Sequence, residues 1–287
     1  MKKTALIILA VFAALFVVIT LSKREPAKEA AKEQANSATA IEKEKVLKFW
    51  ERFRKATDYR MNEQWSLAAE NYRQALELNG RHEDALYYLG NMYLELSQFR
   101  EAEACWKKLV EVNPKNSRGS RQLANLYLES DELFDIDKAE AACRETIRIN
   151  KEESGPMLSM GEIMLIRGRL DEAAADFAAV TASNFKSTGA YFLGGYVAWK
   201  KGEKAKAREL FGLAVKYAKP EEHKAGKVIG EGDTKPGKGF GNVTSKSIFR
   251  GHIAALSSVR PEEMEPALEK SYRQLDLQLT ELKRKVH

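Results

Sequence analysis

From Glu83 to Asn116 the chain reads as one helix, a turn, a second helix and a stop (EDALYYLGNMYLELSQFREAEACWKKLVEVNPKN), and its pattern of small and large apolar residues extends well beyond that stretch. A small residue of the first helix recurs as Ala56, Gly90, Ala124, Gly161 and Gly195, at steps of 34, 34, 37 and 34. The second helix keeps the same step with Ala68, Ala102, Ala139, Ala173 and Ala207. Each of these is followed four residues later by a larger side chain, in turn Tyr72, Trp106, Cys143, Phe177 and Phe211. Paired helices need such positions because their axes approach to about 8–10 Å, and a bulky residue there leaves strain of about 1–3 kcal/mol. The pattern predicts five helical hairpins within 46–221, at about 49–82, 83–116, 117–153, 154–187 and 188–221. The third is lengthened by about three residues at its turn, around Glu129 to Asp137, where Leu133, Phe134 and Ile136 are expected to tuck back onto their own helices.

On either side the pattern changes. Lys2 and Lys3 precede an apolar run from Ala5 to Leu21, broken only by Thr20. That is longer than a signal-peptide core of roughly 7–15 residues and at the short end for a membrane-spanning helix. Ala38-Thr39-Ala40 lies too far downstream for cleavage and no Cys follows the run, so residues 1–21 are expected to be an uncleaved anchor. A cleaved signal with a soluble exported protein is the alternative. The short basic start favours the array lying outside the cytoplasmic membrane; Lys23, Arg24, Lys28 and Lys32 beyond the run weigh the other way. Residues 22–45, rich in Ala, Glu and Lys, read as a spacer, with the first array helix beginning near Val46.

Residues 222–243 are dense in Gly and Lys and read as a loop. Gly232 to Lys238 has the spacing of a phosphate-binding loop, but Gly239 stands where a Ser or Thr would hold magnesium and Pro236 stiffens the wrapping backbone, which argues against nucleotide binding. Residues 244–287 return to a helical hairpin, with Pro261 opening its second helix and Leu268, Tyr272, Leu275, Leu279, Leu282 and Val286 at alternating steps of four and three. It is expected to be a degenerate sixth hairpin capping the apolar end of the fifth, with self-association through this seam as the alternative role.

Leu86, Leu89, Gly90, Tyr93, Ala102, Trp106 and Pro114 resemble the signature of the tetratricopeptide repeat, Leu86 standing where that family has its first Trp. The resemblance implies an all-α superhelical solenoid whose first helices line a concave groove, and a scaffold that holds a protein or peptide there. The groove positions it implies are Trp50, Phe53 and Arg60 in the first repeat, and Tyr87, Asn91 and Leu94 in the second. The third supplies Arg118, Arg121, Asn125 and Leu128, the fourth Leu158, Glu162 and Leu165, and the fifth Phe192, Tyr196, Trp199 and Lys200. The carboxylate clamp of chaperone-binding members is not carried over: Phe53 and Thr57 in one frame, or Gly155 and Ser159 in another, stand where it needs basic residues and Asn. Similar anchored arrays assist translocation, envelope assembly and cytochrome maturation.

Composition adds mainly exclusions. The net charge of +6 is spread over faces of alternating sign, so it makes no nucleic-acid footprint. His82, His223, His252 and His287 lie within metal-ligand spacing neither of one another nor of a Cys, and no cofactor motif is present. Cys105 and Cys143 face inward on second helices and read as buried free thiols. No nucleophile–base or carboxylate constellation supports catalysis, so a non-enzymatic binding protein is expected.

Overall fold

The structure, a computed structural model, describes residue 37, residues 39–219 and residues 248–286; the expected anchor and the Gly/Lys-rich segment lie outside the described residues. Among the described residues there is no strand, and no helix is long and apolar enough to cross a membrane. Five hairpins follow in order: α1 (39–61) with α2 (Trp65–Leu78), α3 (Glu83–Glu95) with α4 (Phe99–Val112), α5 (Ser117–Glu129) with α6 (Ile136–Ile149), α7 (Ser154–Ile166) with α8 (Leu170–Ser183), and α9 (Thr188–Lys200) with α10 (Lys204–Ala218). The first helix starts about two turns before the expected Val46. Residues 39–48 are exposed throughout, so helix propensity and the Glu44–Lys48 pair at 2.7 Å sustain these turns, not burial.

The turns inside the hairpins share one device. A left-handed residue recurs as Glu63, Ser97, Gly168 and Gly202, with φ of 56°, 58°, 77° and 79°. The next N–H reaches back five residues: Gln64 to Tyr59 at 2.9 Å, Gln98 to Tyr93 at 2.8 Å, Arg169 to Met164 at 2.8 Å and Glu203 to Ala198 at 2.9 Å. The third hairpin has its longer insertion instead. Between hairpins the device is an asparagine: Asn79, Asn113, Asn150 and Asn184 end the second helices, and each side-chain oxygen accepts from the N–H two residues on, at 3.1–3.3 Å.

The core follows the small–large pattern. Tyr72, Trp106, Cys143, Phe177 and Phe211 are all buried. A side chain added at Gly90 would lie on the Trp106 indole, and one at Gly161 on the Phe177 ring. In the second and fourth hairpins the large residue of the second helix thus rests on the small residue of its own first helix and closes the hairpin. In the insertion, Ser130 is buried and Leu133 and Phe134 pack against the main core. Phe134 is not confined to its own hairpin, since it also faces a cavity shared with α7 and the C-terminal helices.

Those C-terminal helices depart furthest from expectation. The segment α11 (Ile248–Ala255) leads through 3-10 turns, the second opening on Pro261, into α12 (Met264–Val286), which at 23 residues is far longer than any array helix after α1. It does not stack as a sixth repeat. It starts on α10, where Glu265 pairs with Arg208 at 2.8 Å, and passes α9 on its way to α7. Meanwhile α11 reaches the third repeat, where Arg250 pairs with Glu129. The pair therefore folds back over the first helices. Leu268, Tyr272, Leu275, Leu279 and Leu282 are buried against the array, so this seam is not a free surface for self-association.

Candidate functional site: a groove half filled by its own chain

The first helices α3, α5, α7 and α9 carry the groove positions, and the two ends of that row differ. In the second and third repeats the polar positions are half-buried, and those around Tyr87 are joined by polar contacts. Gln122 on α5 donates to the Tyr87 hydroxyl at 3.3 Å and to Asn91 Oδ1 at 3.2 Å. Arg118 lies 4.9 Å from the centre of the Tyr87 ring and pairs with Asp84 at 2.7 Å. The Tyr87 carbonyl accepts the Trp106 indole N–H at 3.4 Å, tying the ring's backbone to the hairpin core. Arg121 pairs with Glu153 at the start of α7, and Asn125 sits one turn further along α5. Tyr87, Asn91, Arg118, Arg121 and Asn125 are thus brought together and still partly open, the first four each held by a side-chain partner. Gln122, which links Tyr87 and Asn91, was missed because it falls between the positions the family register points to.

The first repeat contributes less than its register implies. The Phe53 ring lies among those of Phe49, Trp50, Tyr72, His82 and Tyr88, at 5.9, 5.7, 5.4, 5.3 and 6.5 Å between centroids, so it mainly packs the first hairpin. Arg60 lies over Tyr88, not over the Tyr87 network. Trp50 is 45% exposed, but its ring neighbours are Phe49, Phe53 and His82 at the outer end of the array.

The fifth-repeat positions are a correction. Phe192 and Tyr196 are 0% and 2% exposed, and Trp199 lies partly buried beneath α12. Tyr196 donates to Asp276 at 2.7 Å and Trp199 to Glu269 at 3.0 Å, while Lys200 pairs with Asp276 at 2.6 Å. The physical reason is tertiary: the register is that of a groove, but the chain's own helix lies in it. Burial works against the charge of Asp276, yet the hydrogen bonds from Lys200 and Tyr196 hold its carboxyl below the usual range.

Where the open and covered halves meet, α5, α7, α11 and α12 enclose a cavity of about 260 Å³ lined by Arg121, Asn125, Glu129, Ser159, Glu162 and Arg250 among others. Burial pushes the Glu162 carboxyl up to about 8, with the Glu129 charge adding to it and Arg250 opposing. Glu129 is also raised by burial, against the pull of Arg250. Leu94, Leu128 and Leu165 are core residues, and Leu158 packs partly buried against Gly189.

The remaining candidate groups are structural. Cys105 and Cys143 are free, and burial pushes both thiols up to about 12. His82 caps α3 by accepting from the Ala85 N–H at 3.3 Å, and His252 meets Gln278 at 2.8 Å. His223 and His287 lie outside the described residues.

The comparisons agree with this architecture. A tetratricopeptide-repeat model matches residues 83–116, and a second matches 53–97 and 165–223. A crystal structure of MamA protein is 17% identical, with a TM-score of 0.54, over 59% of this chain and 91% of that one. MamA from Desulfovibrio magneticus RS-1 is 11% identical with a TM-score of 0.54, over 59% and 94%. Anaphase-promoting complex subunit 3 of Schizosaccharomyces pombe is 22% identical over 158 residues, 55% of this chain, which spans only 23% of that relative's length. The chain is an all-helical solenoid of helix–turn–helix repeats, the architecture of a protein-interaction scaffold. Tetratricopeptide repeats are recognised within it over the matched residues.

Proposed function

We propose that the chain is a scaffold held in the cytoplasmic membrane by residues 5–21, with its array on the extracytoplasmic side, and that it captures an extended segment of a cell-envelope protein. The observation that carries the binding half of this reading is the division of the groove. Repeats four and five are filled by α11 and α12, whereas Tyr87, Asn91, Arg118, Arg121 and Asn125 form a partly open strip ending at a cavity. Such a strip offers a ring, side-chain amides and guanidinium edges, the groups that commonly anchor bound segments. The apolar run motivates the anchoring half.

The test is photo-crosslinking in cells. A photoreactive residue replacing Tyr87 or Asn125 is expected to capture one discrete protein, and the same residue at Tyr196 only the chain itself. Capture from Tyr196 with none from Tyr87 would overturn this account of the groove. For the anchor, a reporter active only after export, fused after His287, is expected to be active in salt-washed membranes; an inactive reporter would put the array in the cytoplasm.

A further inference from the structure

The cavity at the junction is smaller than the roughly 300–1,000 Å³ of sites that take drug-sized molecules. At about 260 Å³ it has room for one side chain, not a length of peptide. Two arginines and two glutamates line it, but one of the arginines is paired with a carboxylate outside the lining. Arg121 is bound to Glu153 and Arg250 to Glu129, which leaves Glu162, half-buried, as the lining carboxylate without a bonded counter-charge. Glu162 makes no hydrogen bond or ion pair with any described residue. A carboxylate partly withdrawn from water gains from a paired cation, because burial penalises its charge. The lining also supplies apolar surface for an alkyl stem, from Leu128, Leu158, Ile253 and Leu282 among others, and the polar side chains of Asn125 and Ser159.

We infer that this cavity accepts a primary ammonium group of the bound partner, a lysine side chain or a chain's amino terminus, with Glu162 as its counter-charge. This rests on the groove reading above and names the chemistry the groove selects. An ammonium is a compact head with three donors and no acceptor, which suits one carboxylate with the side-chain oxygens of Asn125 and Ser159 as further acceptors. An acidic side chain is disfavoured, because both arginines are already engaged and Glu162 would repel it.

The ionisation of Glu162 supplies a signature. Its carboxyl is held up to about 8, chiefly by burial. The charged and titratable groups around it are Arg121 and Glu129 on α5, the Cys143 thiol on α6 and Arg250 on α11, with Lys283 of α12 turned toward Gly168. An ammonium partner needs the ionised carboxylate, so binding near neutral pH releases a proton. Affinity then rises with pH up to about 9, where the lysine amine, with its pKa of about 10.4, is still charged.

The experiment is calorimetric titration of the purified full-length protein with Nα-acetyl-lysine N-methylamide, in two buffers of different ionisation heat. Nα-acetyl-norleucine N-methylamide supplies a similar stem without the charge, and alanine N-methylamide supplies only an α-amino group. The lysine compound is expected to bind at least about tenfold more tightly than the norleucine one, to release a proton, and to gain about tenfold or more between pH 6 and 8. Glu162→Gln is expected to abolish that preference. Preference for the alanine compound instead would identify a chain terminus as the source. Equal binding of lysine and norleucine compounds, pH-independent binding, an unaffected Glu162→Gln, or no binding by any of the three overturns the inference. If Glu162→Gln does not fold, the pH series and proton count on the unaltered protein decide alone. Ammonium binding without capture from Tyr87 would leave the pocket standing and remove the groove reading; capture without ammonium binding would do the reverse.

Discussion

Tyr272 of α12 donates its hydroxyl to the carbonyl of Phe192 on α9 at 3.1 Å. The ring end occupies the space above Gly195, where any added side chain would strike it. In the second and fourth repeats the space above the corresponding glycine is filled by the hairpin's own second helix, through Trp106 and Phe177. At the fifth repeat it is filled from 77 residues away in sequence (272 − 195). The C-terminal helix thus supplies a core side chain, and repeat five is complete only with it.

Truncating Tyr272 should therefore act as a core deletion. Tyr272→Ala is expected to cost about 3–5 kcal/mol, because a ring fully buried among Phe192, Tyr196, Trp199 and Phe211 leaves a cavity. Tyr272→Phe should cost only about 1 kcal/mol, the worth of its hydrogen bond. Denaturant unfolding gives the totals. Hydrogen exchange should localise the first loss to α11, α12 and α9; unchanged protection there would contradict the shared core.

Glycines separate close contacts from open ones. Gly90→Ala should destabilise by about 1–3 kcal/mol, since its Cβ would fall on the Trp106 indole. Gly251→Ala in α11 should stabilise by up to about 1 kcal/mol, because nothing lies within 4 Å of that Cβ and helix propensity improves. Thermal melts of the two variants should move in opposite directions.

The hairpins were legible because their information is local. The small residue of one helix and the large residue of the next recur at a fixed step, and both serve the same packed pair, as Gly90 and Trp106 do. The covering of the groove was not legible. The spacing of Leu268, Tyr272, Leu275, Leu279 and Leu282 shows which face of α12 is apolar, but not which surface it meets. Phe192 and Tyr196 were placed on groove positions by register, and nothing in register says that the groove is filled. The cavity was half visible: Glu162 was named as a groove position, whereas Glu129 reads as the end of a helix, and its partner Arg250 is 121 residues away.

Stability should fall as pH rises through neutrality on account of Glu162. Its folded pKa, about 8, lies above the ordinary carboxyl value of 4.5. The native state therefore holds more protons than the unfolded chain between those values. This stabilising contribution is complete below about 4.5, declines at up to about 1.4 kcal/mol per pH unit, and is gone above about 8. Glu129, also raised by burial, acts in the same direction. Glu162→Gln should flatten the decline and leave the variant more stable than the parent at pH 8.5, as measured by urea unfolding at pH 6.0, 7.0 and 8.5. An unchanged slope would mean that Glu162 is charged and solvated in the native protein.

The Arg250–Glu129 pair joins α11 to the third repeat, with 47% of the Arg250 side chain exposed and only 10% of the Glu129 side chain. The asymmetry decides what each deletion does. Arg250→Ala strands a buried carboxylate beside Glu162, and is expected to cost about 1–3 kcal/mol, the penalty of leaving a buried group unmatched. Glu129→Gln removes the buried charge and leaves the guanidinium able to turn to solvent, so it should cost less. The double variant should recover much of what Arg250→Ala loses, giving a coupling of about 0.5–3 kcal/mol in a double-mutant cycle. Since α11 forms one wall of the cavity, Arg250→Ala should also raise hydrogen exchange in residues 248–255, and the double variant should partly restore protection. Strict additivity with unaltered exchange would mean that the pair does not hold α11 in place, and that Phe249 and Ile253 do so by packing alone.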